Sequence, residues 1–323
     1  VSPPDVAALA AGVVAGDRGA LARAITLVES RAVAQRPLAA ELLRRVAPAR
    51  PGVPRIGITG PPGAGKSTLI ETFGLALVAA GRQPAVLAID PSSTVSRGSI
   101  LGDKTRMERL SRAPQAFIRP SPSGATPGGV GHATRETIVL CEAAGFDPII
   151  VETVGVGQNE VAVQQLVDCV VVLVQAGAGD ELQGIKRGII ELADLVLIPR
   201  ADGANLAAAR HAQAEYQRAL RILAGPHRQP APVVLCSALG GDGIAAFTQA
   251  LDACWHAARA SGALHERRRA QAAAWFDALV DAALRERLAR RHAGPRDRLR
   301  AAVAAGQLDP TDAAARLLAL ASD

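Results

Sequence analysis

The chain has 323 residues, 49% hydrophobic and 20% charged, a balance that excludes a disordered or low-complexity protein and suits one with a sizeable core. Aromatics make up only 2%, so that core has to be built from Ala, Val, Leu and Ile. The net charge of +6 would suit nucleic acid, but the arginines are mixed with acids, as in RRRAQAAAWFDALVDAALRERLARR, whose two aromatics are adjacent to each other and not interleaved with the arginines as base-stacking platforms; a solvated helical face is expected, and no nucleic-acid partner.

In chain order, residues 1–52 carry helical periodicity, as in DRGALARAITLVES and PLAAELLRRV, and end at the punctuation RPGVP. From residue 53 to 250, short apolar runs alternate with longer amphipathic segments. The runs are RIGIT (55–59), AVLAI (85–89), PIIVE (148–152), VVVLV (170–174), LVLIP (195–199) and PVVLC (232–236). Continuous Val/Ile/Leu runs separated by helices predict a parallel sheet buried on both faces, hence a doubly wound, mostly parallel α/β domain flanked by helical segments. The intervals 91–131 and 175–188 are richer in glycine and polar residues than a crossover needs and read as loops at the carboxyl edge, where such sheets bind ligands. Residues 251–323 are helical in pattern: Trp275, Phe276, Leu279, Val280, Leu284 and Leu288 recur at helical spacing, and Asp312 stands as a candidate cap for the last helix.

The four cysteines, Cys141, Cys169, Cys236 and Cys254, include no C-x-x-C pair, which argues against a disulfide framework or a zinc site. No apolar run reaches membrane-spanning length, and Asp5 and Asp17 interrupt the N-terminal segment, so neither a leader nor an anchor is expected and the cytoplasm is the expected location.

GITGPPGAGKSTL carries the chemistry. Gly60, Gly65, Lys66 and Ser67 form G-x-x-x-x-G-K-[ST] between a predicted strand and a predicted helix, the context that defines a phosphate-binding loop. Residues Gly60, Pro61, Pro62, Gly63, Ala64, Gly65, Lys66, Ser67 and Thr68 are therefore expected at a nucleotide's phosphates, with glycines allowing main-chain N–H groups to turn inward and the helix start favouring anions. Lys66 would reach the β- and γ-phosphates, and Ser67 would ligate Mg²⁺. Asp90 and Glu152 end predicted strands beside this loop, where a hard cation needs carboxylates. Of the 36 basic residues only Lys66, Lys104 and Lys186 are lysines, and all three fall in phosphate-loop or switch-like stretches. ETVGVG reads as an Asp-x-x-Gly switch with Glu in place of Asp, Gly155 offering its N–H to a γ-phosphate and Gln158 placed either to orient water or to meet a partner.

GPPGAGKST, AIDPSS, GSILGDKTRM, DPIIVETVGVGQNEV, GDELQGIKRGI and SALGGDGI together resemble the methylmalonyl-CoA mutase accessory GTPases of the MeaB or ArgK type, over about residues 53–250. The resemblance implies a homodimeric, GTP/GDP-binding, Mg²⁺-dependent G domain whose C-terminal helices dimerise. It implies slow hydrolysis that an adenosylcobalamin-dependent acyl-CoA mutase accelerates, in exchange for gated cofactor loading and protection. On it, the catalytic set is Lys66, Asp103, Glu152, Gln158 and Lys186, with Ser67, Asp90, Asp103 and Glu152 at the metal. Lys104 joins the first switch, and Asp180, Glu181 and Lys186 form a partner-facing loop. Two rival readings within the P-loop class are an ATPase or kinase of relaxed base choice and a nickel-delivery maturation GTPase.

The chain departs from the family where Asn-Lys-x-Asp would read the base: it has Pro199, Arg200, Ala201 and Asp202. It also has SRGS at 96–99 and SGATPGG at 123–129 in place of the family's glycine-rich forms. Asp202 can still accept both hydrogen bonds from guanine, and Arg200 can stack its planar group on the base. Ser237 and Ala238 match the loop whose main-chain N–H meets the guanine oxygen. GTP preference is expected to persist, weakened by about 1–2 kcal/mol for the hydrogen-bonding group that Pro199 lacks.

Overall fold

The computed structural model describes residues 4–30, 32–46, 52–90, 107–122, 129–153, 159–176, 190–225 and 229–320. Seven strands form one sheet: β1 (Arg55–Thr59), β2 (Ala85–Asp90), β3 (Phe117–Pro122), β4 (Ile149–Thr153), β5 (Cys169–Leu173), β6 (Leu195–Ile198) and β7 (Val233–Leu235). Their order is β3-β2-β4-β1-β5-β6-β7, and every pairing is parallel. The six apolar runs are all strands. The seventh strand, β3, lies within 91–131, an interval that reads as loop from sequence. Its segment FIRPSP holds two prolines, which an edge strand tolerates because the missing N–H groups can face away from its single neighbour. The same interval also contains the short helix Glu108–Ser111.

Strand residues alternate between two apolar layers. Leu87, Val151, Val172 and Val196 belong to one, with the N-terminal helices Val6–Val14, Arg18–Val28 and Arg36–Arg45 and the helices Gly129–Ala143 and Leu206–Ala224. Ile58, Ile150, Val171 and Leu197 belong to the other, with Leu69, Ile70 and Phe73 of helix Lys66–Ala79 and Phe247 and Leu251 of helix Ile244–Ala260. Helices on both faces make the sheet doubly wound. In a chain so poor in aromatics, Phe73 and Phe247 meet edge to face with ring centroids 5.0 Å apart and join the two helices of the second layer. Gly57 faces the first layer because a Cβ there would stand 2.9 Å from Val167 Cγ2.

The chain divides into two compact units, Val1–Arg267 and Arg268–Asp323. The first holds the sheet and the N-terminal helices. The second holds the later part of helix Ala263–Arg291 and the helices Ala293–Ala304 and Pro310–Ala319. The cap of the last helix is Asp309, not Asp312: Pro310 occupies the first helical position, so the residue before it caps, and its carboxylate accepts from Thr311 and Asp312 N–H. Those bonds hold the Asp309 carboxyl below its usual range. No helix among the described residues is long and apolar enough to cross a membrane.

At the start of β1, Arg55 grips Glu142 of helix Gly129–Ala143 through two hydrogen bonds, Nε to Oε1 at 2.7 Å and Nη2 to Oε2 at 3.0 Å, with both side chains largely buried. Removing one partner strands the other away from water. Glu142→Ala is expected to destabilise the protein by about 3–5 kcal/mol in urea unfolding, whereas a well-packed Arg55→Met/Glu142→Leu pair recovers most of the loss.

Candidate functional site

The phosphate loop joins β1 to helix Lys66–Ala79, in the centre of the sheet. Gly60 takes φ 151°, and a Cβ on it would lie 2.7 Å from the Leu173 carbonyl oxygen at the end of β5. Gly63 and Gly65 adopt φ 76° and 87°, a left-handed backbone that turns the chain into the helix. Pro61 and exposed Pro62 carry the outer arc, and Ala64 is buried beneath it, its N–H donating to Pro61 O at 3.2 Å. Lys66 is buried at the helix start. Its ammonium donates to the carbonyls of Gly60 at 2.8 Å and Pro61 at 2.9 Å, so the loop wraps around its own positive charge. Thr68 lies in the first turn of the helix, and its carbonyl accepts from the Thr72 hydroxyl at 3.1 Å.

Glu152 comes from β4, immediately beside β1, with Ile58 and Glu152 as register partners. It is buried, and its Oε1 accepts from Ser67 Oγ at 2.8 Å. Two oxygens at this separation match neighbouring ligands of an octahedral Mg²⁺, for which bonds of about 2.0–2.1 Å place adjacent ligands about 2.9 Å apart. The donor chemistry therefore fits a small hard cation. Asp90 ends β2, the strand on the other side of β4, so the chain delivers a second carboxylate-bearing residue to the same edge. Among the described residues no group of three His, Cys, Asp or Glu is placed to hold a metal; an Mg²⁺ bound largely by phosphates and water needs only one or two carboxylates. Beneath the loop the Thr153 hydroxyl donates to Thr59 Oγ1 at 2.9 Å, tying the last residues of β4 and β1 together. Thr59 ends a run read as a strand and Thr153 directly follows another, but nothing in the sequence pairs two residues 94 positions apart.

The second half of the site lies at the carboxyl ends of β6 and β7. Arg200 takes a left-handed φ of 57°, the one such non-glycine among the described residues, and its guanidinium donates to Gly63 O at 2.9 Å. Asp202 is exposed, makes no side-chain cap to the following turn Gly203–Asn205, and accepts a hydrogen bond from Ser237 Oγ. Among the described residues its other carboxylate oxygen has no hydrogen-bond partner. The Ser237 N–H is taken by Asp242 O at 2.8 Å, whereas among the described residues the Ala238 N–H has no partner, so Ala238 rather than Ser237 is the main-chain donor this loop presents. The single Thr72 hydroxyl proton is shared between Thr68 O and the nearer Ala238 O at 2.7 Å, binding the base-side loop to the phosphate-side helix. Neither Thr72 nor Asn205, whose amide donates to Arg200 O at 2.7 Å, stands out in the sequence, since both lie outside any motif. Cys236, next to Ser237, is a core residue: burial pushes its thiol up to about 11.

The structure thus brings together Lys66, Ser67 and Glu152 at one end and Arg200, Asp202, Ser237 and Ala238 at the other. The expected switch residues Asp103, Lys104, Gly155, Gln158, Asp180, Glu181 and Lys186 lie outside the described residues, as does the Asp90 side chain.

The chain is similar to known proteins over most of its length. A family model described as methylmalonyl-CoA mutase-associated GTPase MeaB matches residues 21–293. GTPase ArgK of Escherichia coli is 49% identical over 272 residues, covering 81% of this chain and 79% of its own. The mitochondrial methylmalonic aciduria type A homolog of Mus musculus is 49% identical over 280 residues, covering 83% of this chain and 68% of its own. A crystal structure described as an LAO/AO transport system kinase superposes with a TM-score of 0.76 at 35% identity, covering 100% of this chain and 99% of that one.

Because Gly60 has no room for a side chain, Gly60→Ala is expected to push the loop off the end of β5 and weaken GDP binding by about tenfold or more, read by titration with a fluorescent GDP analogue.

Proposed function

The chain belongs to the methylmalonyl-CoA mutase-associated GTPase MeaB family, and on that premise we propose that it is a GTP-hydrolysing chaperone of an adenosylcobalamin-dependent acyl-CoA mutase, methylmalonyl-CoA mutase or a close relative. In this role GTP binding and hydrolysis gate the loading and protection of the mutase's cofactor. The observation that carries the reading is a phosphate loop with a Ser67–Glu152 pair, tied through the Arg200–Gly63 and Thr72–Ala238 hydrogen bonds to the loops that hold the exposed Asp202 carboxylate. The description of the matching family names methylmalonyl-CoA mutase, and the name of the Mus musculus relative refers to methylmalonic aciduria.

The Lys66 ammonium and the loop N–H groups receive the phosphates, and the left-handed glycines Gly63 and Gly65 let the main chain approach them. Ser67 and Glu152, with Asp90 from the end of β2, would hold Mg²⁺, which when bound would offset the negative charge of the β- and γ-phosphates. Asp202 reads guanine by accepting from its ring N–H and exocyclic amine, and Ala238 N–H donates to the guanine oxygen. Adenine presents a ring acceptor to the carboxylate and leaves these groups unpaired. Asp103, Lys104, Gly155 and Gln158 respond to the γ-phosphate, and Asp180, Glu181 and Lys186 carry that response to the mutase. Dimerisation follows from an apolar stripe on helix Ala263–Arg291, where Phe276, Leu279, Val280 and Leu284 are exposed one helical turn apart.

Steady-state hydrolysis of GTP and ATP, each with and without methylmalonyl-CoA mutase, tests the proposal. GTP is expected to be used at least about a hundredfold more efficiently than ATP, at a rate the mutase raises. Equal use of both nucleotides, unmoved by the mutase, would overturn it.

A further inference from the structure

The segment from 199 to 202 has to hold two things at fixed positions, the Arg200 guanidinium at Gly63 and the Asp202 carboxylate at Ser237. It does so through an unfavourable backbone. A left-handed arginine persists only where its surroundings over-determine it. Pro199 cannot contribute: it is buried, has no N–H and carries no side-chain donor.

The constraint comes from the other direction along the chain. Asn205 closes both ends of the segment at once. Its side-chain Nδ2 donates to the Arg200 carbonyl at 2.7 Å, and its main-chain N–H donates to the Asp202 carbonyl at 3.0 Å. The intervening turn Gly203–Asn205 makes this possible, because Gly203 at φ 46° folds the chain back toward Arg200. One further tie, Ala201 N–H to Cys236 O at 3.0 Å, fixes the segment to the neighbouring Ser237 loop. With these bonds made, Arg200 has one backbone conformation and Asp202 one position.

Resting on the guanine reading above, we propose that Asn205 is a positioning residue for base selection, supplying from three residues beyond Asp202 the brace for which Pro199 has no group. It touches neither phosphate nor base; it acts through Arg200 and Asp202. An asparagine suits the task because its amide donates while its short stem fits the turn. Aspartate has the same size, offers no donor, and would set a negative oxygen against the Arg200 carbonyl.

The test uses the full chain and compares wild type with Asn205→Ala and Asn205→Asp. Binding of GDP, ADP and inorganic pyrophosphate is titrated for each. GDP affinity is expected to fall about fivefold to tenfold in Asn205→Ala and at least as far in Asn205→Asp, while pyrophosphate affinity stays at the wild-type value. The GDP-to-ADP ratio therefore narrows, which a general loosening of the protein would not produce. Wild-type GDP affinity in Asn205→Asp, or an equal loss for GDP and pyrophosphate, would overturn the assignment alone. Wild-type protein that binds GDP and ADP equally would overturn the guanine reading and the assignment with it.

Discussion

The whole site depends on β1 being hemmed in on both sides. In a parallel sheet every carboxyl end points the same way, so a loop leaving the central strand has neighbours to left and right. To one side stands β4, which sets Glu152 within hydrogen-bond reach of Ser67. To the other stands β5, whose last carbonyl leaves no space for a Cβ at Gly60. The loop can only turn upward and around, and its curvature brings Gly60 and Pro61 carbonyls onto the Lys66 ammonium. The cradle's shape comes from the strand order.

From that fixed loop the rest of the site is assembled by a few long-range bonds. Arg200 reaches back to Gly63, and Thr72 reaches across to Ala238. Each crosses between the phosphate end and the base end, so the two ends form one mechanical piece. A nucleotide bound by this piece would be gripped at both ends by elements that already restrain one another, which limits the ordering that binding has to impose. The same arrangement gives the ligand's base and its phosphates a common frame.

Much of this was legible in the sequence because it is local. The phosphate loop needs glycines at set spacings, and the buried parallel strands have to be apolar throughout, so GITGPPGAGKSTL and the six Val/Ile/Leu runs announce themselves. The strand β3 did not, because its prolines contradict strand propensity and only its place at the sheet's edge makes them harmless. Asp312 reads as a candidate cap from sequence, but Pro310 fixes the helix start one residue after Asp309. The Thr59–Thr153, Thr72–Ala238 and Asn205–Arg200 bonds were invisible for a different reason. They join ordinary polar residues whose partners are set by strand order and loop conformation, which no spacing rule encodes. Likewise, that Ala238 rather than Ser237 presents the main-chain donor follows only from the turn that engages Ser237 with Asp242.

The central claim is that Asp202 reads a guanine base, and exchanging its chemistry tests this most directly. Guanine offers two donors to the carboxylate, whereas xanthine replaces the amine with a carbonyl oxygen. In Asp202→Asn one carboxylate acceptor becomes an amide donor, which matches xanthine and mismatches guanine. Titration of GDP and xanthosine diphosphate into wild type and Asp202→Asn is expected to show the preference inverted, with GDP weakened by about a hundredfold or more. An Asp202→Asn protein that still prefers GDP, with no gain for xanthosine diphosphate, would mean that the base is read elsewhere and would contradict the account.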